Sequence, residues 1–420
     1  MQNKKLNSFF LILSGILSLV LIFYKFNLIP KNLAFDEVEF TKLALSLDKK
    51  PYIPYSQLAT GHSTLYFYIL LASLKTFGVN TFALRFPAAI FGILSVIAFY
   101  LIMKRVSQQF NNRTMKQWFP FFQTFILLSS HWFLNFARFS FEATFLLFLE
   151  LMSIYFLLRC IDTSKYLHLI LSGIFSGLAF NSYTPGRIFF LLPLGFLILK
   201  KLRKSNNEIM KQLLLFLIPF IIMVTPLTLY LSTHTDTRID QQFFLMNHEM
   251  PIQEKLNGLW HNVSSTALMF NIKGDVNGRH NYPNKPALNP TLGILFIIGL
   301  IISIKNYKNL YNNLFLLYFL ISLFPALMTY PWENPNMLRT FTVLPSVFYF
   351  ISNAIIILWT TVLKIFPNKK KIVFCFLFLV ILFSSFYELR TYFKYQSSVF
   401  KQSFEIKLPL EKAIKVKTLL

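Results

Sequence analysis

Near-continuous apolar runs divide this sequence and limit what it can fold into. Phe9 to Phe23, Leu213 to Leu231 and Ile372 to Phe386 are the clearest of them. With their flanks, these runs approach the roughly 20 residues that a helix needs to cross a bilayer's hydrocarbon core. Only 14% of the residues are charged, whereas a soluble domain has about a quarter. The pattern predicts an all-α integral membrane protein, because several apolar helices form a bundle.

We predict about eleven membrane-spanning helices. The first follows Lys4 and Lys5, and its apolar stretch from Leu6 to about Leu28 is longer than a signal peptide's and lacks a small-residue cleavage site. It is therefore kept as a span. The predicted spans are residues 7–29, 82–103, 118–136, 142–159, 167–182, 188–200, 213–231, 290–304, 312–329, 340–363 and 372–388.

Basic clusters between the runs predict the orientation in the membrane. Lysine and arginine concentrate in short clusters such as 200–211 and 364–371, which is typical of cytoplasmic loops. Residues 63–77 are apolar but short for a span, and a crossing there would move every later cluster outside. We therefore predict that 63–77 lies in the outer interface, with the amino terminus cytoplasmic and the carboxyl terminus outside.

This topology predicts one transmembrane domain over residues 1–388 and a short extracytoplasmic tail over 389–420. The large first and fourth extracytoplasmic loops are 30–81 and 232–289. The net charge of +24 does not indicate nucleic acid, because the cytoplasmic loops hold much of it. Membrane lipids are the expected partners. With only Cys160 and Cys375, the chain can hold neither a disulfide framework nor a thiolate metal site.

Two acidic residues, Asp36 and Glu37, follow the first predicted span in LAFDEVEF. A carboxylate at the depth of a lipid headgroup could accept a proton from an acceptor hydroxyl, as a general base does. The alternative is a solvated pair of loop acids.

A second charged group lies in NFARFSFEA, where Arg138 and Glu142 flank a short external turn. Charges so near hydrocarbon are costly, and they tend to be paired or functional. The alternative to a site role is a mutual i,i+4 salt bridge. Glu150, deeper in the same helix, is expected to hydrogen-bond inside the bundle.

Three further segments bring cationic groups to the outer surface. They carry Arg187, the neighbours Arg279 and His280, and Arg339. Arginine suits a phosphate because it can grip it through two hydrogen bonds. Snorkelling to lipid phosphate is the alternative for each of them.

An ordered set of motifs resembles the GT-C glycosyltransferases of family 39, the protein O-mannosyltransferase and aminoarabinose lipid A transferase type. Asp36 and Glu37 match the acidic pair after the first helix. Gly61 to Tyr66 is similar to an H-P-P-L-Y-like motif, with Ser63 and Thr64 in place of the two prolines. The other similar segments are ALRFPAAIFGILSV, NFARFSFEA, GLAFNSYTPGRI, GRHNYPNKPALNP and ENPNMLRTFTVLP, and together the set covers most of 30–350.

The resemblance implies a GT-C-type bundle and an inverting transfer of a sugar from a polyprenyl-phosphate-linked donor. The acceptor would be a hydroxyl of a lipid, a glycan or a protein. Asp36 would be the general base, and Glu37, the second residue of the catalytic pair, would orient substrate or structure the loop. The residues expected to bind substrate or the donor phosphate are His62, Arg138, Glu142, Arg187, His280 and Arg339. A divalent metal at Asp36 and Glu142 is left open.

A polytopic transporter or lipid flippase is the alternative function. Transporters commonly place ionisable residues near the bilayer midplane, on broken helices within repeated halves. Here the charges cluster at the outer rim, and the sequence shows no internal repeat. The sequence therefore favours a plasma-membrane glycosyltransferase with an extracytoplasmic active site.

Overall fold

A computed structural model describes residues 2–110, 112–203 and 209–416 as a helical bundle. Its helices are α1 Gln2–Phe23, α2 Phe35–Ser46, α3 Leu65–Phe77, α4 Thr81–Val106, α5 Arg113–Ser129, α6 His131–Ala137, α7 Ala143–Thr163, α8 Leu167–Phe180, α9 Leu191–Arg203, α10 Ile209–Thr233, α11 Thr237–Gln242, α12 Ile252–Met269, α13 Pro290–Lys305, α14 Leu310–Leu327, α15 Leu344–Ile365, α16 Lys370–Arg390, α17 Ser397–Ser403 and α18 Leu410–Ala413. A short hairpin pairs β1 Tyr55–Ser56 with β2 His62–Ser63.

Seven helices in this described part are long and apolar enough to cross a membrane. Four shorter apolar helices accompany them, at Leu65–Phe77, Leu167–Phe180, Thr184–Leu199 and Pro290–Lys305. The chain is therefore a multi-pass membrane protein with an all-α membrane fold, as predicted. The number of eleven spans and the interfacial position of 63–77 stay predictions.

One predicted span, 118–136, is interrupted in the structure. Ser130 leaves helical geometry, with φ −59° and ψ 129°, and separates α5 from α6. The redirected α6 is buried along its whole length. The indole of Trp132 donates to the carbonyl of Met337 at 2.8 Å, so the break fixes α6 against the loop that precedes α15.

Asparagine side chains define where several helices begin. Asn80 accepts from the backbone N–H of Ala83 at 2.9 Å, and Asn289 accepts from that of Leu292 at 3.0 Å. Such N-caps satisfy donors that have no partner within the helix. Pro290 at the first position of α13 adds a backbone angle already suited to a helix.

Two glycines permit close helix packing inside the bundle. A Cβ on Gly299 of α13 would lie 1.7 Å from the Phe350 carbonyl oxygen of α15, and one on Gly173 of α8 would lie 2.3 Å from the Phe216 carbonyl of α10. Small residues at such crossings let backbones approach, which is how membrane helices gain packing energy.

The loops predicted at 30–81 and 232–289 are themselves folded. The first contains α2, the hairpin and α3, and the second contains α11 and α12. The tail predicted from residue 389 packs against the first loop, because Leu33 and Ile406 form a β-bridge. Glu405 also accepts a hydrogen bond from the N–H of Phe35 at 3.1 Å, so the tail fixes the start of α2.

Candidate active site

A cavity of about 400 Å³ lies where these folded loops meet. Five segments contribute its charged and histidine side chains: the start of α2, the hairpin, α11, the loop before α13 and the loop before α15. The charged and histidine side chains that line it are Asp36, His62, Arg238, Asp275, Arg279, His280, Glu333 and Arg339. Of the predicted site residues, Asp36, His62, His280 and Arg339 therefore share this cavity.

Asp36 lies in the first turn of α2, with its carboxylate at the cavity wall. Its Oδ2 accepts a hydrogen bond from Arg279 Nη1 at 2.6 Å. Among the described residues no group donates to Oδ1, and the side chain is 38% exposed. Asp36 is thus held in place by one oxygen and presents the other to the cavity.

Glu37 points the opposite way, into the protein. It is fully buried, and Arg85 of α4 donates to both of its oxygens at 2.7 Å. The N–H of Ala34 donates to it as well, at 3.1 Å, which satisfies the start of α2. This arrangement makes Glu37 a structural anchor for the helix that carries Asp36, and it does not line the cavity.

His62 joins two charged residues that are distant in sequence. Its Nδ1 lies 2.6 Å from Glu142 Oε1, and its Nε2 lies 2.7 Å from Arg238 Nη1. A guanidinium can only donate, so Nε2 accepts and the ring's proton lies on Nδ1, donated to Glu142. Burial, and then the positive charge of Arg238, hold the pKa of His62 below its ordinary value. The ring is therefore neutral.

The hairpin presents His62 because of the glycine that precedes it. Gly61 has φ +90°, and a Cβ there would lie 2.3 Å from both Thr237 Oγ1 and Tyr55 Oη. Only glycine accepts this backbone angle without strain. The close approach brings the hairpin against α11, which carries Arg238.

Arg187 supports this contact from outside the cavity. It forms an ion pair with Asp236, which also accepts a hydrogen bond from the Tyr55 hydroxyl at 2.9 Å. Burial raises the pKa of Asp236, but the Arg187 guanidinium outweighs it and holds that pKa below its usual range. Arg187 therefore binds Asp236, two residues before Arg238, and it does not line the cavity.

Asp275 orients His280 on the cavity wall. Its Oδ2 accepts from His280 Nδ1 at 3.0 Å and from the Met337 N–H at 2.9 Å. With its Nδ1 proton so engaged, His280 has its Nε2 left for another partner. The same carboxylate thereby joins the loop before α13 to the loop before α15.

Arg339 reaches the cavity from that second loop, where it forms an ion pair with Glu333. Its backbone N–H donates to Asn336 Oδ1 at 3.0 Å, which fixes the turn. Of the three cavity arginines, Arg279 and Arg339 have carboxylate partners, whereas Arg238 has a neutral histidine. Within the described residues, Arg238 is thus the cavity arginine whose charge no direct carboxylate contact cancels.

Arg138 is placed away from the cavity. It is fully buried and donates to the backbone carbonyls that end α1 and follow it. The accepting carbonyls belong to Leu21, Ile22, Tyr24, Lys25 and Ile29. The side chain satisfies the carbonyls of a helix end. The i,i+4 pair with Glu142 does not form, because Glu142 contacts His62.

The sequence left open a divalent metal at Asp36 and Glu142, and this geometry does not favour one. Asp36 contacts Arg279 and lines the cavity, whereas Glu142 is buried against His62 outside it. The described residues contain no cluster of three or more histidine, cysteine, aspartate or glutamate side chains suited to a metal ion. Glu150, in contrast, hydrogen-bonds inside the bundle as predicted, to the Tyr318 hydroxyl at 2.6 Å.

The sequence prediction missed Arg238, Asp275 and Glu333. Arg238 lies in the polar stretch THTDTRIDQQ, where nothing local distinguishes it from a solvated residue. Asp275 and Glu333 each lie a few residues before a predicted site residue, His280 and Arg339 respectively. An acidic residue so close to a basic one was the sequence signal that could have revealed them.

Part of the chain matches a known family model. The family model described as dolichyl-phosphate-mannose-protein mannosyltransferase matches residues 61–229, a stretch that contains His62, Arg138, Glu142 and Arg187. No curated protein matches the chain significantly.

Solved structures match the fold over nearly the whole chain. The oligosaccharyltransferase AglB of Archaeoglobus fulgidus, solved with an inhibitory peptide and a dolichol-phosphate, is 13% identical with a TM-score of 0.54, covering 95% of this chain and 56% of its own. ArnT of Cupriavidus metallidurans, bound to undecaprenyl phosphate, is 11% identical with a TM-score of 0.52, covering 96% of this chain and 77% of its own. The chain has the GT-C membrane fold of these proteins, and part of it matches the mannosyltransferase family model.

The resemblance inferred from the motifs is thus confirmed for this GT-C chain. At such low identities, the structural likeness shows a shared fold. The chain spans only 56% of the length of the archaeal oligosaccharyltransferase, so its reaction and substrates have to be argued from its own cavity.

Proposed function

We propose that this protein transfers a sugar, with inversion, from a polyprenyl-phosphate-linked donor to an acceptor hydroxyl at the extracytoplasmic face of the plasma membrane. One observation carries the proposal. A single cavity contains a carboxylate with an unengaged oxygen, Asp36, and a buried arginine without a carboxylate partner, Arg238. These are the two groups that the transfer needs, a proton acceptor and a stabiliser of the departing phosphate.

The transfer is a single displacement. The acceptor hydroxyl gives its proton to Asp36 Oδ1, and its oxygen bonds to the anomeric carbon on the face opposite the phosphate. The bond between the anomeric carbon and the phosphate oxygen breaks, and its electron pair leaves with the polyprenyl phosphate. Because attack and departure occur on opposite faces, the anomeric configuration inverts.

Arg238 is the first residue that we assign to the leaving phosphate. Its environment is water-poor, and buried charges interact far more strongly than solvated ones. His62 aims the guanidinium without cancelling its charge, and Glu142 holds His62. Arg339 and His280 line the same cavity and complete the proposed phosphate site.

Arg279 has a separate part in the proposal. By binding Oδ2 at 2.6 Å, it fixes the direction in which Oδ1 faces the acceptor. Fixed orientation is a large part of the rate that enzymes gain. Glu37, Arg138 and Arg187 support this geometry from behind the cavity wall.

The test is to incubate the purified protein with a panel of polyprenyl-phosphate sugars and candidate acceptors and to measure released polyprenyl phosphate. We expect release with one sugar class, and its loss in Asp36→Asn. Absence of release from every donor by folded protein, or equal release by Asp36→Asn, would overturn the proposal. Movement of an intact lipid across vesicles without release would favour the flippase alternative.

A further inference from the structure

A groove runs along the outside of the bundle, between α13, α15 and α16. It consists of three hollows of about 290, 670 and 480 Å³. The first two share Pro290, Thr291, Phe376 and Val380, and the second and third share Tyr387 and Arg390. No residue of these hollows lines the polar cavity, so the groove is a separate feature.

The length of the groove distinguishes its possible occupants. Its α16 side extends from Phe376 to Arg390 and continues to Tyr395. At about 1.5 Å per helical residue, this is roughly 21 to 28 Å. The hydrocarbon core is about 30 Å thick, so one leaflet is about 15 Å. A single phospholipid chain ends near the midplane and would cover only part of the groove, whereas one longer apolar chain would cover all of it.

The wall of the groove is apolar over most of that length. Phe376, Phe383 and Phe386 are 63%, 70% and 62% exposed, and Leu379 is 47% exposed. Rings and branched side chains of this kind match an isoprenoid chain. Such a chain would keep this face covered along both leaflets.

One end of the groove carries a positive charge. Arg390 donates to the Tyr395 hydroxyl and lies 5.0 Å from the centre of its ring. Lys394 lies 5.9 Å from the same ring. Neither cation has a carboxylate partner in the described part of the chain, whereas Lys285 beside them pairs with Glu388 at 3.5 Å. An anionic headgroup would therefore be attracted to Arg390 and Lys394.

The charged end lies one loop away from the polar cavity. Asp275, Arg279 and His280 line the cavity, and Asn284 and Lys285 of the same loop line the groove. A lipid phosphate at Arg390 is thus at the cavity's end of the bundle, on the other face of a shared loop.

We propose that this groove binds a polyprenyl phosphate, with the chain along α16 and the phosphate at Arg390. The identity of the lipid rests on the proposed function, in which a polyprenyl phosphate is the leaving product. The groove is a second station for this lipid, outside the reaction cavity.

Binding of a photoreactive polyprenyl phosphate to the purified full-length protein tests this. Crosslinks should map to α13 and α16. Two variants should each lower the crosslinking yield at least tenfold: Thr291→Trp, which fills the exposed groove, and Arg390→Gln, which removes its charge. The crosslinking yield of two matched controls should stay within twofold of wild type. They are Ile218→Trp, on an exposed face of α10, and Lys401→Gln, at an exposed cation of α17.

Unchanged yield in both groove variants overturns the proposal, as does equal competition by phosphatidylglycerol, which would make this a phospholipid surface. No sugar or acceptor is present in this assay. Groove binding without any sugar transfer would therefore refute the proposed function alone, and transfer without groove binding would refute the groove alone.

Discussion

Arg238 is held by a histidine instead of a carboxylate, with its Nη1 2.7 Å from His62 Nε2. A carboxylate in that place would cancel the arginine's charge, whereas a neutral imidazole orients the guanidinium and leaves its charge available. Glu142 lies on the far side of the ring, so the negative charge is separated from Arg238 by the width of an imidazole. This arrangement suits a site that must attract an anion and later release it.

Arg238→Gln should weaken donor binding at least tenfold, about 1.4 kcal/mol. Glutamine ends two bonds before the arginine Nη1, so the variant removes the charge together with the contact to His62. Equilibrium binding of the donor measures the effect. The control is Lys273→Gln, at an exposed cation outside the cavity, which should bind the donor normally. Unchanged donor binding by Arg238→Gln would mean that Arg238 has only a structural role.

Asp36→Asn should lower the transfer rate by about 10²- to 10⁴-fold, the loss typical of a missing general base. Donor binding should remain, because the amide keeps the size of the side chain. Single-turnover transfer, with donor affinity measured alongside, separates the two effects. Glu39→Gln on the same helix is the control and should transfer normally. Within the described structure, Glu39 pairs only with Lys42. A near wild-type rate in Asp36→Asn would place the base elsewhere.

Gly61→Ala should destabilise the site, because alanine at φ +90° is strained and its Cβ would meet Thr237 and Tyr55 at 2.3 Å. Strain of this kind costs on the order of 1–3 kcal/mol. Thermal unfolding in detergent and donor binding should both suffer. Gly15→Ala is the matched control, since nothing lies within 4 Å of its added Cβ. Equal stability of the two variants would show that the hairpin adapts.

His62 should make stability depend on pH. The depressed pKa means that the unfolded chain takes up a proton near pH 6.5, while folded His62 does so only at lower pH. In that window the unfolded state binds more protons, so stability falls as the pH falls.

The advantage of wild type over His62→Asn in thermal unfolding should therefore shrink between pH 7.5 and 5.5. Asparagine can keep the hydrogen bond to Glu142 but does not titrate. The exposed His248 provides the control variant His248→Asn, which makes the same change of residue type away from the buried contacts of His62. A pH-independent difference for His62→Asn would contradict a neutral, buried ring.

Topology can be tested across the single helix α13. Cysteines placed at Lys273 and Asn306, with Cys160 and Cys375 replaced by serine, lie beyond its opposite ends. An impermeant thiol reagent added outside intact cells should modify the first and spare the second until the cells are opened. Modification at position 306 alone would reverse the proposed orientation, and modification at both positions would show that α13 does not cross the membrane.

The fold could be predicted where a long apolar run forms one long helix. The predicted spans 82–103, 142–159, 340–363 and 372–388 coincide with α4, α7, α15 and α16. The break at Ser130 could not be read from the sequence, because apolar residues continue on both sides of it. Helices α2 and α12 were missed because they lie in polar loops, where tertiary contacts and not hydropathy select the helix.

The site could be predicted only as far as residue type and position along the chain reveal it. Asp36, His280 and Arg339 reach the cavity, but Arg138 and Glu37 turn inward, and a charged residue beside an apolar run looks the same in either case. Arg238 meets His62 across a separation of 176 residues. Only the folded chain brings them together.

The bridge between Leu33 and Ile406 has a consequence for biosynthesis. The helix that carries Asp36 starts with an N–H bound to a residue 370 positions later, Glu405. At about 5–20 residues per second, the ribosome needs roughly 20 to 70 s to supply that partner. During that time the first helices are already inserting into the membrane while the start of α2 still lacks its final contacts. The proposed transfer therefore has to wait until this late segment is translated, and early termination yields an inserted chain in which the start of α2 lacks these contacts.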